Sequence, residues 1–157
     1  MERIIKYLNS RQKTISTMES ASGGFLASSL TNIEGSSLVF KFGAVTYSNE
    51  FKVKMGIKES IIDKYSVYSM ECANEMSLEI SHFTNSDYGV GITGKINSPD
   101  PNNLYGDDST IYLSIYDKEF DKYYNKVIKA LNIKRSLNKE LIVKEFVNLF
   151  KECIIKE

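Results

Sequence analysis

The apolar residues of this chain alternate between helical and strand spacing, and this alternation limits the possible folds more than any other feature. Ile4, Ile5 and Leu8 lie on one face of a short opening helix. Residues 14–18 are predicted to form a strand, and helical spacing resumes at Phe25 after a turn of small polar residues. Strands that alternate with helices in this way are typical of a layered α/β domain.

The same pattern continues to the end of the chain. Further helices are predicted over residues 49–55, 58–65 and 70–83, and an amphipathic helix near the C-terminus is marked by Leu141, Phe146 and Phe150. Further strands are predicted over residues 43–48, 88–94, 110–116 and 122–131. The last two strands flank a short turn and predict a hairpin, which makes the sheet mixed.

The length of the chain indicates its number of domains, and its charge limits the classes of partner it can bind. A chain of 157 residues is predicted to form one domain, spanning residues 1–157. Its 20 basic residues balance 20 acidic residues, so no net field attracts nucleic acid or an anionic membrane. The basic start of the chain lacks the apolar run of a signal peptide, and no apolar stretch approaches the roughly 18 residues of a membrane span. We expect a cytoplasmic protein with no nucleic-acid or membrane partner.

The residues that commonly bind metals or act as histidine bases are few and scattered. Cys72 and Cys153 are far apart and near no histidine, so they predict neither a metal site nor a disulfide. His82 is the single histidine and lies late in a predicted helix, where a Ser-His-Asp triad is difficult to build. The acidic residues show no metal-loop pattern. We expect no metal and no cofactor.

Small hydroxyl residues and glycines cluster in the turn at residues 19–24, between a predicted strand and a predicted helix. The start of a helix offers backbone N–H groups and a positive dipole end, which suit a phosphate or the oxyanion of a tetrahedral intermediate. Many such turns are rich in serine and glycine only because these residues cap helices. The pattern alone leaves both interpretations open.

Three blocks of sequence, in order, resemble the CinA C-terminal domain family, whose active members are nicotinamide mononucleotide deamidases. The blocks are residues 17–24, residues 35–37 and residues 45–52. They correspond to family patterns of approximately (T)AESxTGG, GSS and VTYSNEAK. Weaker similarity continues beyond them, so that the resemblance covers most of the chain.

The resemblance implies a catalytic group that needs no histidine. Ser37 corresponds to the second serine of GSS and is the implied nucleophile, with Tyr47 and Lys52 as its implied partners. A serine hydroxyl needs a base, and a lysine can serve if its pKa is lowered from about 10.4 towards 7–8. Which of Tyr47 and Lys52 is the base stays open. Each residue also has a plain alternative: Ser37 as a helix cap, Tyr47 as a packing residue and Lys52 as a solvated lysine.

The resemblance also implies a set of residues that bind a small nucleotide. Ser22 replaces the family's threonine and keeps its hydroxyl. The residues implied to contact the substrate are Ser20, Ser22, Gly23, Gly24, Thr93, Gly94 and Arg135. Lys95 and Arg135 are the cations expected to meet a phosphate, and either could instead be a surface charge.

By resemblance we expect a three-layer α/β/α domain with a mixed, mostly parallel central sheet, in a stand-alone form that assembles as a homo-oligomer. The sequence departs from the family after Gly94, where residues 95–106 replace a glycine-rich stretch. The expected reaction is hydrolysis of the carboxamide of nicotinamide mononucleotide. The divergent loop keeps two alternatives open, an amidase for another small molecule and a non-catalytic nucleotide-binding module.

Overall fold

The computed structural model describes residues 1–156, which form a five-stranded sheet with helices on both faces. The strands are β1 (Ile15–Glu19), β2 (Phe40–Val45), β3 (Tyr88–Gly94), β4 (Thr110–Asp117) and β5 (Lys122–Lys129). The helices are α1 (Glu2–Arg11), α2 (Phe25–Thr31), α3 (Asn49–Lys54), α4 (Glu59–Tyr65), α5 (Met70–Thr84) and α6 (Arg135–Phe150). A 3₁₀ turn spans Ser36–Leu38, and α6 runs on into a π-helical turn at Lys151–Ile155.

The strand order across the sheet is β2-β1-β3-β4-β5. Strand β1 pairs in parallel with both β2 and β3, whereas β4 pairs antiparallel with β3 and β5. The predicted mixed sheet and hairpin are confirmed, with parallel and antiparallel pairings in equal number. Because β1, β2 and β3 are parallel, their carboxyl ends meet at one edge of the sheet, where ligands bind in open α/β sheets.

Helices α1, α2 and α6 cover one face of the sheet. Their apolar side chains, such as Ile4, Leu26 and Ile142, form one buried core with Val90 and Ile92 of β3. These side chains are wholly removed from water, and each contributes about 1.5–3 kcal/mol to folding. The apolar residues at helical spacing in these three helices therefore pack as one layer against the sheet.

Helix α5 covers the opposite face and lies unusually close to β3. Met76 and Ile80 of α5 pack with Met18 of β1 in a second core. A Cβ atom on Gly89 would overlap the carbonyl oxygen of Ser77, and one on Gly91 would overlap the carbonyl oxygen of Ala73. The two strand glycines thus permit backbone contact between layers, and the three-layer α/β/α architecture is confirmed.

Two boundaries differ from the sequence expectation. Strand β2 begins at Phe40 and ends at Val45, whereas we predicted residues 43–48. The chain leaves the sheet early because Ser48 serves as the N-cap of α3, with its hydroxyl accepting a hydrogen bond from the Phe51 N–H. Helix α6 begins at Arg135, well before its apolar stripe becomes visible.

Among residues 1–156, no helix is both long enough and apolar enough to cross a membrane.

Candidate functional site

A cleft of about 500 Å³ opens at the carboxyl edge of the parallel strands. Its walls come from the turn after β1, the segment before α3, the loop after β3 and the start of α6. The side chains that line it include Ser20, Tyr47, Asn49, Tyr68, Asp100 and Arg135. The volume lies within the range of pockets that hold small molecules.

Lys52 points from α3 into the protein beneath this cleft. The helix carries apolar neighbours on its other side, yet Lys52 itself is only 2% exposed. Its Nζ lies 3.2 Å from Ser20 Oγ and 2.8 Å from the carbonyl oxygen of Thr46. The alternative of a solvated surface lysine is therefore wrong.

The environment of Lys52 favours its neutral form. Burial lowers the pKa of the ammonium group, and the opposing influence of Cys72 and Asp100 is smaller. Burial also raises the pKa of the Cys72 thiol to about 11, so the neighbour stays an uncharged thiol at neutral pH. An amine with a lowered pKa next to a serine hydroxyl can accept the hydroxyl proton.

Ser20 is fixed at the end of β1 by backbone hydrogen bonds. Its N–H donates to Ile92 O of β3 at 2.9 Å, and its carbonyl accepts from the Gly23 N–H at 3.0 Å. The side chain lies at the cleft wall and meets Lys52 from the cleft side. A hydroxyl held in a tight turn between a strand and a helix, next to a buried amine, is suited to act as a nucleophile.

The N-terminus of α2 is occupied by a side chain of the chain itself. The Glu19 carboxylate accepts hydrogen bonds from the Leu26 N–H at 3.0 Å, the Ala27 N–H at 2.8 Å and the Ser22 hydroxyl at 2.6 Å. Glu19 is completely buried. Of the two interpretations left open for this turn, the structure favours capping, because Glu19 already uses the Leu26 and Ala27 N–H groups.

Ser37 lies at the other end of the sheet. It belongs to the 3₁₀ turn that precedes β2, whereas Lys52 contacts Thr46 just after β2. A strand of six residues is roughly 17–20 Å long. Within one chain the predicted meeting of Ser37 with Lys52 and Tyr47 is therefore wrong, and Ser20 takes the place expected of Ser37. The structure thus brings Lys52 together with Ser20 and not with Ser37.

Tyr47 stands at the mouth of the cleft rather than beside the amine. Its side chain is 66% exposed, and its hydroxyl lies 3.5 Å from an Arg135 guanidinium nitrogen. The other terminal nitrogen of Arg135 donates to Ile96 O at 2.9 Å. The two residues form one rim of the cleft, which places Arg135 where a phosphate can reach it.

The remaining predicted contact residues fall into two groups. Gly94 lines the cleft, as Ser20 does. Ser22 and Thr93 are fully buried, and their hydroxyls are committed to Glu19 and to Val67 O. Gly23 and Gly24 lie behind Ser20, with backbone φ angles of 61° and 90° that shape the turn. These four residues support the site from outside the cleft.

The divergent loop is tied down over the cleft by residues that sequence reasoning missed. The Tyr68 hydroxyl donates to Asp100 Oδ2 at 2.5 Å, and Asn103 Nδ2 donates to the same oxygen at 2.8 Å. Asn49 Nδ2 in turn donates to Asn103 Oδ1 at 2.8 Å. Burial raises the pKa of Asp100, but these hydrogen bonds outweigh it and hold the pKa below its usual value. The loop is thus connected to α3, the helix that carries Lys52.

Two lysines near the cleft differ in their surroundings. Lys95 is buried, lies 3.3 Å from Asp108 Oδ1, and places its Nζ 5.0 Å from the centre of the Tyr68 ring. Lys95 also lines the cleft, and its role as a phosphate ligand stays a prediction. Lys139 was not predicted. Its Nζ lies 3.0 Å from the position that a Cβ on Gly23 would take, one helical turn after Arg135.

Comparison with known sequences identifies close relatives. The sequence model of the CinA C-terminal domain matches residues 1–154. A competence-damage inducible protein from Clostridium kluyveri is 39% identical over 120 residues, covering 75% of this chain and 29% of that protein. A CinA-like protein from Thermosipho melanesiensis is 36% identical over 112 residues, covering 71% of this chain and 28% of that protein. The match therefore spans less than a third of the length of these relatives.

Solved structures share the same fold. The competence damage-inducible protein A from Klebsiella pneumoniae superposes with a TM-score of 0.87 at 20% identity, covering 97% of this chain and 92% of that chain. A competence-damaged protein (CinA) superfamily protein from Escherichia coli gives a TM-score of 0.84 at 22% identity, covering 98% and 87%. Likeness at these identities establishes the architecture.

Proposed function

Because the chain belongs to the CinA C-terminal domain family and holds Ser20 against a buried lysine, we propose that it is an amidohydrolase acting on nicotinamide mononucleotide. The products are nicotinate mononucleotide and ammonia. The observation that carries the proposal is the 3.2 Å contact between Lys52 Nζ and Ser20 Oγ at the foot of the cleft. The substrate comes from the family resemblance, and the assignment of Ser20 comes from the geometry.

In the first step Ser20 Oγ attacks the carboxamide carbon while Lys52 takes the hydroxyl proton. A neutral amine has one lone pair and two N–H donors. One donor remains bonded to Thr46 O, which aims the lone pair at Ser20. Burial lowers the pKa of the amine, so less free energy is needed at neutral pH to remove its proton and expose the lone pair.

In the second step the tetrahedral intermediate expels ammonia, and Lys52 returns its proton to the leaving nitrogen. The Ala21 N–H follows the nucleophile and Ala21 lines the cleft, which makes it the natural donor to the oxyanion. Water then attacks the resulting acyl-enzyme with Lys52 again as the base. The nicotinate product leaves and Ser20 regains its proton.

The cleft suits a mononucleotide in both size and charge. Its volume of about 500 Å³ accommodates a ring, a ribose and a phosphate. Arg135 lines the cleft and provides positive charge at its rim, beside Tyr47. Guanidinium groups bind phosphate oxygens in a forked geometry, so Arg135 is the primary phosphate ligand.

A test measures ammonia and nicotinate mononucleotide released by the purified chain from nicotinamide mononucleotide in the presence of a chelator. The proposal expects catalytic turnover with this substrate, and weaker turnover with nicotinamide or its riboside because neither has a phosphate for Arg135. Turnover of a different amide in the same panel would instead favour another small-molecule amidase, as the altered 95–106 loop allows. Binding of the mononucleotide without turnover would favour a non-catalytic module.

A further inference from the structure

The loop after β3 places one charged carboxylate in the wall of the cleft. This carboxylate belongs to Asp100, which forms no ion pair within residues 1–156. The nearby Lys95 ammonium group lies 3.3 Å from Asp108 Oδ1 instead. Burial raises the pKa of Asp100, but the hydrogen bonds that it accepts outweigh burial, so the group is charged at neutral pH. Because this charge repels a phosphate, the wall here suits another part of a ligand.

Three hydrogen bonds fix the orientation of the Asp100 carboxylate. Its Oδ2 accepts from the Tyr68 hydroxyl at 2.5 Å and from Asn103 Nδ2 at 2.8 Å. Its Oδ1 accepts from the Asn102 N–H at 2.9 Å. A carboxylate has about four lone-pair directions, so one direction on Oδ1 is unused by residues 1–156. Since the neighbours already hold the group in place, a ligand does not have to order it.

The segment before α3 connects this carboxylate to the cation assigned to the phosphate. Tyr47 contacts Arg135 at the rim, and Asn49 donates to Asn103 Oδ1 at 2.8 Å. Ser48 between them is extended, with φ −102° and ψ 158°, so Tyr47 and Asn49 are about 6–7 Å apart along the chain. That spacing is comparable with the length of one sugar. A phosphate at the rim therefore brings the attached ribose towards the carboxylate.

We propose that Asp100 accepts a hydrogen bond from one ribose hydroxyl of the substrate, so that the cleft selects a ribonucleotide over its deoxy counterpart. This contact rests on the proposed function, which supplies a mononucleotide as the ligand. Acidic side chains bind ribose hydroxyls in the same manner in dinucleotide-binding folds. A hydrogen bond to a charged acceptor is stronger than one between neutral groups, which gives the contact enough free energy to discriminate.

The ribose contact gives each part of a mononucleotide a place in the cleft. Ser20 and Lys52 meet at the foot of the cleft, where the carboxamide reacts. Arg135 lies at the rim, where the phosphate binds, and Asp100 binds the sugar that joins the two. Asp100 belongs to the loop 95–106 that departs from the family pattern. The sugar preference is therefore a property of this chain, separate from the catalytic pair.

The test measures, by isothermal titration calorimetry, the binding of nicotinamide mononucleotide and of its 2′-deoxy and 3′-deoxy analogues. All measurements use the Ser20→Ala chain, which lacks the proposed nucleophile, so that the ligand stays intact. We expect one deoxy analogue to bind at least about tenfold more weakly than the mononucleotide, because it lacks a hydrogen bond to a charged group. The other analogue keeps the donating hydroxyl and should bind as the mononucleotide does.

Three further substitutions separate the carboxylate from the position of its loop. Asp100→Asn keeps the size of the side chain but removes its charge, and we expect the difference between the ligands to shrink by about fivefold or more. Tyr68→Phe removes one anchor of the loop but keeps the carboxylate, so all three ligands bind more weakly while the difference persists. Asp108→Asn is the matched control, because it removes a carboxylate that does not line the cleft, and the difference stays unchanged.

Equal binding of all three ligands when Asp100 is present would overturn the proposal. A difference lost in Tyr68→Phe but kept in Asp100→Asn would also overturn it, because the position of the loop and not the carboxylate would then set the preference. Ammonia release by the wild-type chain is measured separately. Binding with the expected difference but without turnover would defeat the proposed activity and support the ribose contact, whereas turnover without the difference would do the reverse.

Discussion

Lys52 Nζ lies 3.2 Å from Ser20 Oγ, although the two residues are 32 positions apart in sequence. Their meeting depends on the parallel pairing of β1 with β2, which brings the ends of both strands to the same edge of the sheet. Helix α3 then folds back under that edge and buries the lysine. The pair is thus a direct consequence of the sheet topology.

The charge state of residue 52 is predicted to control the rate. Lys52→Arg keeps the positive charge and the hydrogen-bond donors, but a guanidinium stays protonated and cannot serve as a base. We expect kcat to fall by about 10²- to 10⁴-fold, measured as ammonia release at saturating substrate. Lys54→Arg is the matched control, because Lys54 is exposed and pairs with Glu50 on the same helix. A Lys52→Arg variant with near-normal kcat would exclude lysine as the base.

The same lysine is predicted to destabilise the fold in a pH-dependent way. Burial lowers its pKa in the folded chain, whereas the unfolded lysine titrates near about 10.4. Between these two pKa values the unfolded chain binds more protons, so wild-type stability rises with pH across that window. Lys52→Met removes this dependence, and its stability relative to wild type is highest below the folded-state pKa.

Urea unfolding at a series of pH values from neutral to alkaline measures this difference. The free energy of unfolding of Lys52→Met minus that of wild type should decline steadily as the pH rises. A flat difference would mean that the folded-state pKa of Lys52 is not lowered.

The close contact between α5 and β3 is predicted to tolerate no side chain at Gly91. Gly91→Ala would force the new methyl group against the backbone of α5, at Ala73 O and Ser77 N. We expect a loss of about 3 kcal/mol in the free energy of unfolding. Gly106→Ala is the comparison, since its Cβ would find its nearest neighbour 3.8 Å away. There only the positive φ costs free energy, about 1–2 kcal/mol. Equal losses at the two positions would contradict the close packing.

The tether of the divergent loop is predicted to affect binding more than chemistry. Asp100→Ala removes the acceptor of the Tyr68 and Asn103 hydrogen bonds and frees the loop from the cleft wall. We expect KM for the mononucleotide to rise several-fold while kcat changes less. Asp63→Ala on α4 is the control. A fall in kcat with unchanged KM would show that Asp100 acts on the reacting groups instead.

Much of the fold could be predicted because local patterns and packing agree. The helical spacing of Ile4, Ile5 and Leu8 matches a buried face, and the strand predicted over residues 88–94 coincides with β3. We predicted strand β2 three residues too late along the chain. Its burial pattern is mostly exposed and irregular, so buried and exposed residues hardly alternate there. The strand ends where Ser48 caps α3, and the spacing of apolar residues does not reveal that the helix takes these residues from the strand.

The site was predicted only in part because pairing across the sheet is not visible in a linear pattern. Lys52 was located by its sequence block, but its partner depends on which turn lies at the carboxyl edge. Ser20 follows β1 and lies at that edge, whereas Ser37 precedes β2 and lies at the other. The parallel pairing of β1 and β2, applied to the predicted strands, would have distinguished the two serines. No feature of the sequence predicted that the Glu19 carboxylate occupies the N-terminus of α2.

The most direct test of the Ser20–Lys52 account is ammonia release from nicotinamide mononucleotide by Ser20→Ala and Ser37→Ala side by side. We expect Ser20→Ala to lower kcat by roughly 10³-fold or more while Ser37→Ala stays near wild type. Loss of turnover in Ser37→Ala with activity kept in Ser20→Ala would contradict it.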